Sequence, residues 1–250
     1  MKNSHEADDP RRRLLIQALA AGLFSAGLPR ANAWAASIFG DKPDKLPPGQ
    51  SIYRLTGQAT VNGKEATLQT LVRPGDTVQT APGSELIFAV GSHAMILRGG
   101  SNLVIETPPK KAAETTPLSV LITGLRLLTG KLLTVSRNSP MRVRTATATI
   151  GIRGTGFYLE SDPDLTYFCT CYGSTEVMAT ADPESKMMVT STHHDKPLYI
   201  VKDGGTGKNI RNAPFVNHTD QELALIEALV GRTTPFVFEN GIYTGPRRDY

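Results

Sequence analysis

Sulfur and aromatic side chains are scarce in this chain. Its 250 residues include two cysteines and one tryptophan, and 6% are aromatic. Two cysteines are too few for the disulfide framework of a small secreted domain. An excess of one charge is lacking too, with 27 Lys and Arg against 23 Asp and Glu. No Lys/Arg cluster is interleaved with aromatics, so the footprint of a nucleic-acid-binding surface is missing. The catalytic signatures are absent as well: there is no G-x-S-x-G elbow, no H-E-x-x-H, no dinucleotide fingerprint and no P-loop. The stretch GGTGK at 204–208 lacks the second spacing and the following Ser or Thr, and reads as a flexible turn. What remains for chemistry is His194-Asp195 with some serine, or Cys169 as a nucleophile paired with a histidine. The sequence therefore reads as a non-enzyme.

The N-terminus has the order of an export leader. Polar MKNSHEADDP precedes Arg11, Arg12 and Arg13; an apolar run, Leu14 to Gly27, follows, and then small-residue ANAWAAS. The run is too short to cross a bilayer, which takes about 20 residues. PRRRLL resembles a twin-arginine leader, although no Ser or Thr precedes the pair and Gln17 stands near where Lys is common. Residues 1–35 are read as this signal and 36–50 as a linker. Without the signal the chain holds 22 Lys and Arg against 20 Asp and Glu. The expectation is an exported, periplasmic product with no integral membrane span.

From Ile52 to Val177 glycine and proline cut the chain into short apolar pieces: GSELIFAV, SHAMILR, SNLVIE, LSVLITG, LRLLTG, KLLTVS, MRVRTATATIGI, TGFYLE and TYFCTCYG. Leu86, Phe88 and Val90 share one face, as do Leu103 and Ile105, and Phe157 and Leu159. Turn signals such as Arg73-Pro74-Gly75-Asp76 and Ala81-Pro82-Gly83-Ser84 separate the pieces. This pattern predicts an all-β sandwich, barrel or solenoid. Polar Pro108–Pro117 reads as an exposed loop.

The succession GDTVQTAPGSELIFAVGSHAMILRGGSNLVIE, LRLLTGKLLTV and MRVRTATATIGIRGTGFYLE resembles the FecR domain. Gly75, Asp76, Thr80, Ser84, Gly130, Thr147, Gly151, Arg153, Gly154, Thr155 and Phe157 stand where that pattern puts such residues. The resemblance covers roughly half the chain. It implies a twisted β-solenoid or sandwich over 51–178, with 179–250 as a C-terminal extension. In the closing segment, Gly151 and Gly154 are expected to bend one strand into the next while Ile152 and Phe157 enter the core. Arg153 is expected to brace the turn carbonyls; the sharper alternative is an anion site. FecR regulators carry an N-terminal cytoplasmic segment that holds a sigma factor, then a transmembrane helix. Neither is seen here, so the resemblance implies a module for recognition or assembly, not the anti-sigma role. Its partner is expected to be an envelope protein or other periplasmic ligand.

Both cysteines lie in YFCTCYG. Residues i and i+2 of a strand share a face, about 6.6 Å apart. Cys169 and Cys171 should therefore lie side by side with Tyr167, and Phe168, Thr170 and Tyr172 opposite. A disulfide between them would be strained and easily reduced. Two thiolates on one face suit a soft or borderline metal, while inert core thiols and a redox-labile pair stay open. Partners are offered by His193 and His194 in STHHDKP and by His218 in FVNHTDQEL. Adjacent histidines point apart, so one of the pair with His218 would complete a Cys₂His₂ set. Such a set suits Zn²⁺; Met187 and Met188 nearby make Cu(I) the alternative. The same cluster could instead serve a periplasmic metalloenzyme or redox protein.

A helix is predicted over 219–230. Thr219 and Glu222 form a capping box, Leu223, Ile226, Leu229 and Val230 an apolar stripe, and Gly231 a stop. His218 would sit just before its N-cap, fixed by docking of the helix.

Overall fold

The computed structural model describes residues 43–108, 122–137 and 140–236. The signal, most of the Pro108–Pro117 loop and the last fourteen residues lie outside the described residues. Among the described residues fourteen strands form one open sheet. In chain order they are β1 (Ile52–Thr56), β2 (Ala59–Val61), β3 (Lys64–Glu65), β4 (Thr77–Thr80), β5 (Glu85–Val90), β6 (His93–Arg98) and β7 (Asn102–Glu106). Then come β8 (Gly124–Ser136), β9 (Met141–Arg144), β10 (Ala148–Ser161), β11 (Leu165–Ala179), β12 (Lys186–Ser191), β13 (Leu198–Val201) and β14 (Ile210–Asn212). One helix, α1 (Asp220–Leu229), follows. The all-β expectation with a short C-terminal helix holds. Strands β12 to β14 continue the sheet of the preceding strands, through the pairing of β11 with β12 and β13.

Pairing is antiparallel except where Gly124–Arg126 of β8 runs parallel to Arg142–Arg144 of β9. Several strands are longer than the glycine punctuation predicts. LRLLTG and KLLTVS are one strand, β8, which passes through Gly130 at φ 96°. The first half of β8 pairs with β7 and the second half with β6, so Gly130 marks the change of neighbour. A side chain there would collide with Ser101, whose Oγ lies 2.1 Å from the position of a Cβ. Conversely, MRVRTATATIGI is two strands, β9 and β10, hinged at Thr145–Thr147. Thr145 and Thr147 meet there through Thr166 Oγ1, each at 2.7 Å.

The segment around Gly151 and Gly154 also differs from expectation. It does not end a strand, because β10 runs on through a bulge between Arg153 and Phe157. Gly154 takes φ 65° inside that bulge. Ile152 and Phe157 are buried as expected. Arg153 is exposed and, among the described residues, donates no hydrogen bond to a turn carbonyl.

Strands β5, β6, β8, β10 and β11 are buried on both faces, so alternate residues enter two different clusters. Leu86, Phe88, Met95, Leu97, Leu132, Phe157, Leu159 and Phe168 enter the first. It also gathers residues of β2, β4, β7, β12 and β13, which means the sheet curls over on itself. Ile87, Ala89, Ala94, Ile96, Leu133, Val135, Tyr158, Tyr167, Cys169 and Cys171 face the other way. Leu223, Ile226 and Leu229 of α1 cover that second face. Burying three such side chains contributes about 1.5–3 kcal/mol each, which seats the helix. Its caps match the sequence reading: Thr219 is N-cap, the capping box with Glu222 is complete, and Gly231 has φ 73°.

Candidate metal centre

The second face carries the cysteines. Cys169 and Cys171 point into it from β11, and both are free thiols with no exposed surface. A second bulge sits here, since Gly156 pairs with Tyr172 while Phe157 pairs with Thr170. The extra residue turns Tyr172 to the same side as the cysteines, contrary to strict alternation. Gly156 makes room for it, because a Cβ there would lie 2.5 Å from the Tyr172 ring.

Two further segments reach the thiols. The turn after β12 is built by Asp195, whose Oδ2 accepts from the Thr192 amide at 2.6 Å, the Thr192 hydroxyl at 3.0 Å and the His193 amide at 3.4 Å. These bonds, the Thr192 amide first, hold the Asp195 carboxyl below the usual range. Asp195 is thus a turn builder; its Oδ2 also accepts from the Ser191 hydroxyl at 3.3 Å, and its amide donates to Ser191 Oγ at 3.0 Å. His194 takes φ 55° and donates its amide to the Cys171 carbonyl at 2.9 Å, which swings its ring over Cys169. From the other side, His218 stands immediately before the N-cap of α1 and is 1% exposed. Its ring stacks on Tyr158, centroids 4.5 Å apart.

Four ligand atoms of Cys169, Cys171, His194 and His218 lie within 4.8 Å of one another. Cys169 Sγ is 3.5 Å from His194 Nδ1, and His194 Nδ1 is 3.1 Å from His218 Nε2. His193, the fifth residue of the expected set, points away. Its Nε2 lies 2.8 Å from Asp220 Oδ2, and its side chain is 51% exposed. Only one of the adjacent histidines joins the four, but the two rings do not point apart: both turn to Asp220 with centroids 4.8 Å from each other, because His194 leaves the extended conformation. Met187 packs against the first cluster and Met188 is exposed, so neither methionine joins the four.

The outer nitrogens of the two rings fix their protons. His218 Nδ1 lies 2.7 Å from the Val216 carbonyl oxygen, which can only accept, so Nδ1 bears the hydrogen. His194 Nε2 lies 2.9 Å from Asp220 Oδ1 and donates to that carboxylate. Each neutral ring then aims a bare lone pair inward. Two nitrogen lone pairs 3.1 Å apart repel, beside two sulfurs, unless a cation sits among them. A histidine whose second nitrogen donates to a carboxylate or carbonyl is the usual arrangement of a metal ligand.

Without a metal, a proton takes that place. Burial pushes the Cys169 thiol up, but hydrogen bonds from Cys171, His194 and His218 outweigh it and hold the thiol well below its ordinary range. Cys171 is pushed up by burial and by donating to Cys169. Burial lowers His194, yet bonds to Asp220 and Cys169 raise it to about 9. His218 is lowered, chiefly by burial. The metal-free cluster is therefore a thiolate–imidazolium pair beside a neutral thiol and a neutral imidazole. One proton serves poorly where four ligand atoms converge.

Buried ionic groups flank the cluster. Arg98 pairs with both Glu222 carboxylate oxygens at 3.2 Å and donates to Tyr158 Oη at 3.0 Å and to the Asn217 carbonyl. Glu227, wholly buried, takes Arg232 Nε at 2.6 Å, Arg137 at 2.9 Å and the Tyr172 hydroxyl. These acids come from α1 and their arginines from the sheet and the chain after the helix. Sequence reasoning missed Asp220, Arg98 and Glu227. The first two residues of α1 after the cap, Asp220-Gln221, suggest no more than a favourable helix dipole.

No family model and no curated protein matches this chain. Two crystal structures of a candidate anti-sigma factor from Parabacteroides distasonis are similar to it, at TM-scores of 0.41 and 0.40 and 17% identity. Each alignment covers 55% of this chain and 58% of the other, so the chain spans little more than half their length. Among the described residues no helix is long and apolar enough to cross a membrane.

Proposed function

We propose that this chain is an exported, non-catalytic β-module that binds a partner protein in the bacterial envelope, with a Cys₂His₂-bound metal ion fastening its C-terminal helix to the sheet. The leader-like N-terminus and the FecR resemblance support the envelope setting. The metal reading is carried by one observation: four inward lone pairs within 4.8 Å, their outer nitrogens committed to acceptors. Two sulfurs and two nitrogens around one point suit tetrahedral Zn²⁺ at about 2.3 Å for sulfur and 2.0–2.1 Å for nitrogen. Four protein ligands close such a site, and the burial of both thiols leaves no open position for substrate. The ion would tie together β11, the turn after β12 and the start of α1, segments 25 and 47 residues apart from Cys169 to His194 and from Cys171 to His218.

A periplasmic metalloenzyme or redox protein is the second reading, and the contact favouring it is Cys169 Sγ 3.5 Å from His194 Nδ1. Metal content by mass spectrometry, beside a count of free thiols, tests both. The fastener reading expects about one equivalent of metal, lost together with thermal stability in Cys169→Ser and in Cys171→Ser. A metal-free protein with two titratable thiols would make the cysteines core residues or a redox pair, and leave the binding module without a metal.

A further inference from the structure

The cluster is walled by rings. Phe215 lies 4.5 Å from both His194 and His218, Phe236 lies 4.6 Å from His193, and Tyr158 stacks on His218. A hydrated cation does not cross such a wall, because shedding its water without replacement ligands is costly. A polar route leads from solvent to one of the ligands. His193 is half exposed; its Nε2 meets Asp220 Oδ2 at 2.8 Å, and Asp220 Oδ1 meets His194 at 2.9 Å. A single carboxylate thus touches the surface imidazole with one oxygen and a buried ligand with the other.

We infer that His193 and Asp220 form an outer cation subsite through which the metal enters and leaves the buried Cys/His cluster. The inference rests on the metal reading above. An arriving divalent ion exchanges two waters for His193 Nε2 and an Asp220 oxygen. It then passes to His194 Nδ1, His218 Nε2 and the two sulfurs, while the proton shared by His194 Nδ1 and Cys169 and the Cys171 thiol proton leave to solvent as the metal bonds form. Asp220 afterwards returns to accepting from His194 Nε2, and His193 has no bond in the final set. Such a station lowers the barrier for entry and exit equally, so it changes rates and leaves the equilibrium unaltered. A residue that merely supports a ligand does the reverse, and its loss costs about 10–100-fold in affinity.

Cobalt(II) is a suitable probe, since thiolate coordination gives it a charge-transfer absorption. The full chain loaded with Co²⁺ is mixed with excess chelator and the decay of that band followed; affinity is measured separately by chelator competition. In His193→Ala, release should slow about tenfold and uptake by the same factor, with affinity unchanged. His193→Asp, which restores a ligating side chain, should recover most of the rate. Equal release rates in His193→Ala and the unaltered protein would overturn the inference, as would an affinity loss as large as the rate change. If the unaltered protein develops no such band, the metal reading itself falls, and the outer subsite with it.

Discussion

The two faces of strands β5, β6, β8, β10 and β11 solve burial in different ways. The first is largely apolar: Leu86, Phe88, Met95, Leu97, Phe157 and Phe168 fill it, with the hydroxyl residues Thr134 and Thr170 paired opposite Phe157. The second is just as buried but encloses two thiols, three tyrosines and the carboxylates Glu222 and Glu227. Hydrocarbon tolerates exchange at constant volume. A buried polar group is stable only with its partner in place. The first face should therefore respond to volume and the second to partnership, and the second is where a ligand or ion can act.

The largest contrast should appear on adding a strong chelator. Amide exchange at Leu223–Leu229 should lose its protection, since structural zinc contributes on the order of 10 kcal/mol in small domains, while β10 amides stay protected. A first-face truncation, Phe157→Ala, should cost about 3–5 kcal/mol with or without chelator. Equal loss of protection on both faces would erase the distinction.

Next in size is the ion pair. Glu222→Gln leaves Arg98 buried and unpaired and should cost about 3–5 kcal/mol in urea unfolding. Replacing both, Arg98→Met with Glu222→Met, should cost less than the single change, a coupling of about 2 kcal/mol. Additive losses would show that the charges are not linked across the helix–sheet contact.

The smallest effect concerns acid. His93, buried at the start of β6 with Nδ1 unpartnered, is lowered from 6.5 to about 4, first by burial and then by Arg232. The unfolded chain takes up this proton first, so stability is present above pH 6.5 and falls as pH drops toward 4. The loss amounts to about 3 kcal/mol. His93→Gln should flatten that part of the stability-versus-pH curve; an unchanged slope would put the acid sensitivity elsewhere.

Local rules read much of this from sequence. Strand period set Cys169 and Cys171 on one face, and the Thr219–Glu222 box started α1 where it begins. They failed where the backbone departs from regularity through tertiary contact. The bulge opposite Gly156 turned Tyr172 to the cysteine side, and Gly130 and Gly154 continue strands that glycine was expected to end. Arg98 and Asp220 were illegible because their roles depend on partners 124 and 26 residues away, Glu222 and His194. Whether residues 179–250 form a separate extension is not decided by composition, since β12 to β14 pair within the one sheet.

The most direct measurement is X-ray absorption at the zinc edge of protein purified without added metal. The account predicts two sulfur neighbours at about 2.3 Å and two nitrogen neighbours at about 2.0–2.1 Å. A nitrogen- and oxygen-only shell, or an ion-free protein whose two thiols both titrate, would contradict it.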